Sequence, residues 1–441
     1  MSTAKTLRSL VLGGLLASAL AACGGSGSDP VASSGGSSGG AAAAFLLPTP
    51  SADAFYAQPS TMPDAPPGTI LNSRAVSYAP ALSVPLPNQA WQLQYISQDS
   101  KGKPIAAIAT VVKPLLPALS QPAPLVSFQF AEDSLGLKCS PSQTLQGGTA
   151  NTVSQAETLE YIAGLETQGW TMVFPDHEGP YSEYAAGALA GHITLDGIRA
   201  AKNFAALGLN SATPVGLWGY SGGALATAWA ATLQPTYAPE LNLAAVASGG
   251  TPADVISAAK AFDGQGTYGA IANLLFSLGL SAVIGVDRAY PDMVPPAEFN
   301  ARGLAAVATL RDTCQGNPTD GSLPPSGHFS DYVDTGGSDV FSTPGVLETA
   351  PKITLPQPGR TPTAKSIFVY HSIIDELIPI AGTDAMVQTW CGGGSHVGYY
   401  RALEGEHIGL DATMAPFALA YFISVFNGLA PVYPPGAVSC N

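Results

Sequence analysis

The chain has 441 residues, of which 46% are hydrophobic and 11% charged, so it can bury a large core and is not globally disordered. Its formal charge of -14 excludes the basic surface that nucleic-acid phosphates require. With 49 glycines and 38 prolines, it reads as loop-rich and not as a helical bundle.

Lys5 and Arg8 open a targeting segment, and residues 10–20 form an apolar run too short to span a bilayer. The run ends in Leu20-Ala21-Ala22-Cys23, which resembles a bacterial lipobox. The expectation is a signal peptide over residues 1–22 and lipidation of Cys23. The chain would then be exported and either anchored to a bacterial membrane (outer membrane or cell surface) or secreted. Residues 24–40 are almost wholly Gly and Ser, so residues 23–45 read as a flexible tether. Residues 41 to about 75 are Ala/Pro-rich and are expected to wrap the surface without regular structure.

From about residue 90 the texture becomes an alternation of strands and helices. Residues 105–112 and 125–130 read as strands, 151–168 as a helix stopped by Gly169, and 170–174 as a short apolar strand. A helix over 193–207 ends at Gly208, a strand follows over 214–218, then a helix over 222–233 and a strand over 243–247. Such alternation predicts an α/β fold with a mostly parallel sheet between helices. The pattern breaks over residues 252–363, which read as an inserted, largely helical cap. Its apolar stretch over 270–285 is too short and too interrupted by glycine to cross a membrane. Alternation resumes with a strand over 366–370, a helix over 382–390, a strand over 397–401 and a helix over 411–425. The expected core therefore comprises residues 46–251 and 364–441.

Cys23 apart, Cys139, Cys314, Cys391 and Cys440 remain. In an oxidising compartment four cysteines form two disulfides, in one of three connectivities. No Cys-x-x-Cys occurs and the six histidines lack zinc spacing, so neither a metal nor a cofactor is expected.

The chemistry-bearing motif is Gly219-Tyr220-Ser221-Gly222-Gly223, a Gly-x-Ser-x-Gly turn between a predicted strand and a predicted helix. Small residues on either side of the serine permit a sharp turn that lifts its hydroxyl to the sheet's edge. The following helix offers its positive end. A nucleophilic serine needs an imidazole base and a carboxylate to orient it. His371, His396 and His407 lie beyond Ser221 in the resumed α/β region. His407 sits between the last predicted strand and the last predicted helix, where a loop can hang over the serine. His371 and His396 fit loop or core hydrogen bonding better. Asp375 lies just past a strand end and is the favoured acid, with Glu376 as the chemical runner-up. Gly222 supplies one oxyanion N–H directly after the nucleophile. The second donor belongs to the loop that begins Ala131-Glu132-Asp133-Ser134, but spacing does not select it.

Several separated stretches resemble the secretory lipases related to Candida antarctica lipase A. They are Glu132-Asp133-Ser134 with Cys139 and Pro141, Asp176-His177-Glu178-Gly179, Leu195-Asp196-Gly197-Ile198-Arg199-Ala200, the Ser221 motif, Gly249-Gly250-Thr251-Pro252, Asp375-Glu376 with Pro379, and Glu406-His407. The resemblance implies an α/β-hydrolase core with an inserted helical cap, and the triad Ser221, Asp375 and His407. It also implies Asp133 beside Gly222 as oxyanion donors, and the pairings Cys139–Cys314 and Cys391–Cys440. Residues 315–346 look more polar and Gly-rich than an acyl-binding lid, which departs from the family pattern.

The expected activity is hydrolysis of carboxylic esters, most simply those of lipids, by a monomer. A short-chain esterase or an acyltransferase would use the same triad. A non-catalytic, surface-binding lipoprotein is the alternative of another class. In the cap, Leu274, Leu275, Phe276 and Leu278 either line an acyl tunnel or merely pack on the core.

Overall fold

The computed structural model describes residues 44–80, 84–148, 152–264, 270–314 and 325–441. The expected leader, Cys23 and the expected tether through residue 43 lie outside the described residues.

The strands are β1 (Ile70–Tyr78), β2 (Leu86–Gln98), β3 (Pro104–Lys113), β4 (Leu125–Gln129), β5 (Thr171–Pro175), β6 (Val215–Tyr220), β7 (Leu243–Gly249), β8 (Ser366–Ser372), β9 (Val397–Ala402) and β10 (Val438–Cys440). They form one sheet in the order β1-β2-β3-β5-β4-β6-β7-β8-β9-β10. From β5 to β9 every neighbouring pair is parallel, while β1, β2 and β3 at one edge and β10 at the other pair antiparallel.

The helices are α1 (Pro141–Thr144), α2 (Thr152–Gln168), α3 (Gly187–Asn203), α4 (Ser221–Tyr237), α5 (Val255–Phe262), α6 (Ala270–Ala289), α7 (Ala301–Leu310), α8 (Pro344–Ile353), α9 (Ile380–Gly392) and α10 (His407–Phe426). Successive strand residues face opposite sides, so the central strands are apolar throughout. Leu217, Val246, Ile367 and Val369 join the core beneath α3, α4 and α9, together with Trp229 and Trp390. Trp218, Tyr220, Phe368 and Tyr370 join the opposite core, with Tyr161 of α2 and Leu410, Tyr421 and Phe422 of α10. Each such large side chain contributes about 1.5–3 kcal/mol on burial. By length and composition α10 could cross a membrane, yet this apolar stripe is committed to the sheet.

Helices α5 to α8 lie in the stretch between β7 and β8. In α6, Phe276 is fully buried against Phe329 and Tyr332, with ring centroids 5.1 and 5.4 Å away. That is the packing alternative for Phe276. Leu275 and Leu278 pack with Phe262, Leu377 and Ile378, which brings α6 against the chain just after Asp375. The side chain of Leu274 lies outside the described residues. The buried guanidinium of Arg288 donates to the carbonyl oxygens of Leu46, Leu135, Tyr181, Ser182 and Arg311. One charged group thereby ties α6 to the loop after β4 and to residues 181–182. Cys139 and Cys314 form a second tie, and Cys391–Cys440 closes the other end of the chain.

Several sequence expectations need correction. Residues 41–75 are not free of regular structure, because β1 starts at Ile70. Its half-exposed edge position lets a polar sequence form a strand. The tether reading to residue 45 runs too far, since Phe45 meets the Phe299 ring edge-on at 5.9 Å. Helix α3 starts at Gly187 and not near residue 193. Gly187 looks like a breaker, but a Cβ there would overlap the Trp229 indole of α4. The glycine is set by helix–helix packing, which outweighs its helix cost of about 1 kcal/mol.

Candidate active site

Strand β6 runs directly into α4, and Ser221 occupies the junction with φ of 51°. A non-glycine residue in the left-handed region is strained by about 1–3 kcal/mol and needs surroundings that hold it. A Cβ at Gly219 would lie 2.5 Å from the Gly223 carbonyl oxygen, and one at Gly223 would overlap the Gln129 carbonyl oxygen. The two flanking glycines are therefore steric requirements of this turn.

His407 is the first residue of α10, capped by Glu406, whose carboxylate accepts from the Gly409 N–H. Its Nε2 lies 2.8 Å from Ser221 Oγ and its Nδ1 2.7 Å from Asp375 Oδ2. The His407 N–H donates to Glu376 Oε2 at 3.0 Å, and its carbonyl accepts from the Tyr220 hydroxyl at 2.6 Å. Of the two adjacent acids, Asp375 meets the imidazole while Glu376 holds the backbone that carries it.

The Asp375 side chain is fully buried. Its Oδ1 accepts from the Leu377 N–H at 3.0 Å and the Ile378 N–H at 2.7 Å. Burial pushes this carboxyl up, but hydrogen bonds from His371, His407 and the backbone outweigh it and hold it well below the usual carboxylate range. Asp375 is thus an anion whose far side is already saturated by donors.

Asp133 lies in the loop after β4 with φ of 43°. Its Oδ1 is buried without a hydrogen-bond partner among the described residues, and it fills the space where a Cβ on Gly222 would stand. Burial raises the Asp133 carboxyl to about 6, opposed by the His407 charge and by a hydrogen bond with Tyr184.

His396 stands away from this group, with Nδ1 2.7 Å from the Asn441 carbonyl oxygen. His371, assigned from sequence to loop or core hydrogen bonding, is buried beside Asp375. Glu157, Glu160 and Asp411 bring carboxylate oxygens within 4.8 Å of one another, a grouping that could hold a metal ion and that no local spacing in the sequence reveals. Two of them come from α2 and one from α10, and Glu157 also accepts from the Ala131 N–H.

A mostly parallel sheet between two layers of helices, with a strained serine at the turn beyond a central strand, defines the α/β-hydrolase class. The Secretory lipase family matches residues 145–433, and the chain belongs to that family. Lipase 10 of Candida albicans is 35% identical over 403 residues, covering 87% of this chain and 82% of that lipase. A Mycobacterium tuberculosis protein named as a probable inactive lipase is 33% identical over 384 residues, covering 86% and 83%. The closed-state crystal structure of Candida antarctica lipase A matches with a TM-score of 0.77 at 28% identity, over 88% of each chain.

Proposed function

We propose that the protein is an exported lipase, a hydrolase of acyl esters that works through a covalent acyl-serine. The observation that carries this reading is the position of His407, whose two ring nitrogens lie 2.8 Å from Ser221 Oγ and 2.7 Å from Asp375 Oδ2. Family membership alone does not decide activity, because one relative of similar identity is named as probably inactive. In this chain all three side chains are present and within hydrogen-bonding reach.

As Ser221 Oγ bonds to the ester carbonyl carbon, its proton passes to His407 Nε2 and the carbonyl electron pair moves onto oxygen. Asp375 stabilises the resulting imidazolium. The Gly222 N–H and the protonated carboxyl of Asp133 donate to the oxyanion. Collapse breaks the C–O bond to the alcohol, which leaves with the proton from Nε2. Water then attacks the acyl-serine while Nε2 takes its proton, and a second collapse releases the acid and restores Ser221.

The exposed side chains of Ile373, Ile374, Leu403 and Ile408 favour apolar acyl esters as substrates. They flank Asp375 and His407, and the Ile373 N–H donates to the Ala402 carbonyl, so the two loops lie side by side. Export and anchorage through Cys23 belong to the same proposal. Acyl labelling that persists in Cys23→Ser would overturn the anchor.

The test is hydrolysis of p-nitrophenyl esters of increasing acyl length, with Ser221→Ala as control. The variant is expected to fold, to lose hydrolysis and to lose labelling by a fluorophosphonate probe. Retained activity would refute the assignment, and a maximum at short acyl groups would make the protein an esterase.

A further inference from the structure

The triad carboxylate has a second histidine. His371 is the penultimate residue of β8, four residues before Asp375, and both side chains are fully buried. His371 Nε2 lies 3.0 Å from the Ile378 carbonyl oxygen and 3.3 Å from Asp375 Oδ2. Both neighbours are acceptors, so this nitrogen carries a proton whatever the state of the other. The ring cannot turn away, because Nδ1 meets Thr383 Oγ1 of α9 at 3.0 Å. Thr383 in turn donates to the Thr251 carbonyl oxygen at 2.8 Å.

Asp375 Oδ2 accepts from His407 Nδ1 at 2.7 Å and lies 3.3 Å from His371 Nε2, whose hydrogen bond goes to the Ile378 carbonyl, while Oδ1 takes two backbone N–H groups. Three hydrogen bonds and the adjacent His371 N–H dipole on one buried carboxylate fix its rotation and favour its ionised state. The Thr251–Thr383–His371 chain links the carboxylate to the end of β7 and to α9, so its position does not depend on the loop backbone alone.

We propose that His371 is a positioning residue of this hydrolase. Its Nε2–H holds Asp375 ionised and aimed at His407, so that His407 presents its basic nitrogen to Ser221. The inference rests on the acyl-serine reading above. A histidine that served only the Ile378 carbonyl would stabilise the turn without affecting the chemical step.

The test compares His371→Phe, which keeps ring volume but has no N–H, with His371→Gln, which offers an amide N–H. Both are assayed on p-nitrophenyl esters alongside Ser221→Ala, and folding is checked by circular dichroism. His371→Phe is expected to lower kcat by roughly 10- to 100-fold at unchanged KM, the scale set by small misplacements of catalytic groups. His371→Gln should recover most of that loss. Wild-type kcat in folded His371→Phe, or equal impairment of the two folded variants, would overturn the proposal. If the phenylalanine variant does not fold, the glutamine variant with Thr383→Val decides it. Near wild-type kcat in the first and reduced kcat at unchanged KM in the second support it; any other pattern overturns it. Activity in Ser221→Ala would instead sink the acyl-serine reading, which keeps the two failures distinct.

Discussion

Asp133 Oδ1 fills the space beside Gly222 that any side chain at that position would need. The carboxyl is buried and its Oδ1 lacks a partner among the described residues, so a developing oxyanion near Gly222 would meet it directly once it is protonated. Gly222→Ala keeps its backbone N–H but must push Asp133 aside. We expect kcat to fall about 100- to 1,000-fold, the cost of one oxyanion donor, with the fold intact. Steady-state kinetics within a few-fold of wild type would show that Asp133 is not a donor.

Asp133 also gives the reaction a pH signature. Burial raises its carboxyl from 3.8 to about 6, so it is protonated below that value and ionised above it. A protonated carboxyl donates to the oxyanion; a carboxylate repels it. The Asp133 contribution to kcat/KM should therefore be lost as pH rises through about 6. Asp133→Asn, whose amide donates at any pH, should flatten that fall. The sign for stability is the same: the folded state binds this proton more tightly, so stability drops as pH rises from 3.8 to about 6. An unchanged pH–rate profile in Asp133→Asn would refute the assignment.

Gly187 separates packing from chemistry. A Cβ there would overlap the Trp229 indole, so Gly187→Ala forces α3 and α4 apart. Overpacking of this kind costs about 1–3 kcal/mol. The urea midpoint should fall at an unchanged slope, while kcat per folded molecule stays at wild type. A gain in stability, as expected for Gly→Ala in an uncrowded helix, would show that the indole moves freely.

The Cys139–Cys314 bridge spans 175 residues and joins the segment after the Asp133 loop to the segment that follows α7. Replacing both cysteines by serine should cost about 2–5 kcal/mol. Because Arg288 still ties α6 to the Leu135 carbonyl, activity below the unfolding transition should survive. Loss of activity in the folded double variant would make the bridge part of the site's alignment.

The serine turn was legible because its steric requirements fall within five consecutive residues. His407 and Asp375 were legible because they follow predicted strands, where loops gather at one edge of the sheet. Residues 193–207 were read as a helix, but the start of α3 was missed because its glycine answers to Trp229, 42 positions further on by residue number. Strand β1 was missed because an edge strand needs few apolar residues.

Sequence by itself determined the kinds of chemical group available, the strained turn and the alternation of strands and helices around it, since these depend on neighbours within a few bonds. Only the tertiary structure decided which of two adjacent acids meets the imidazole, that His371 backs the chosen one, that Oδ1 of Asp133 lies over Gly222, and which cysteines are paired. His407 and Ser221 are 186 residues apart, and their 2.8 Å contact follows from how the strands are ordered in space, a long-range outcome that no local pattern encodes.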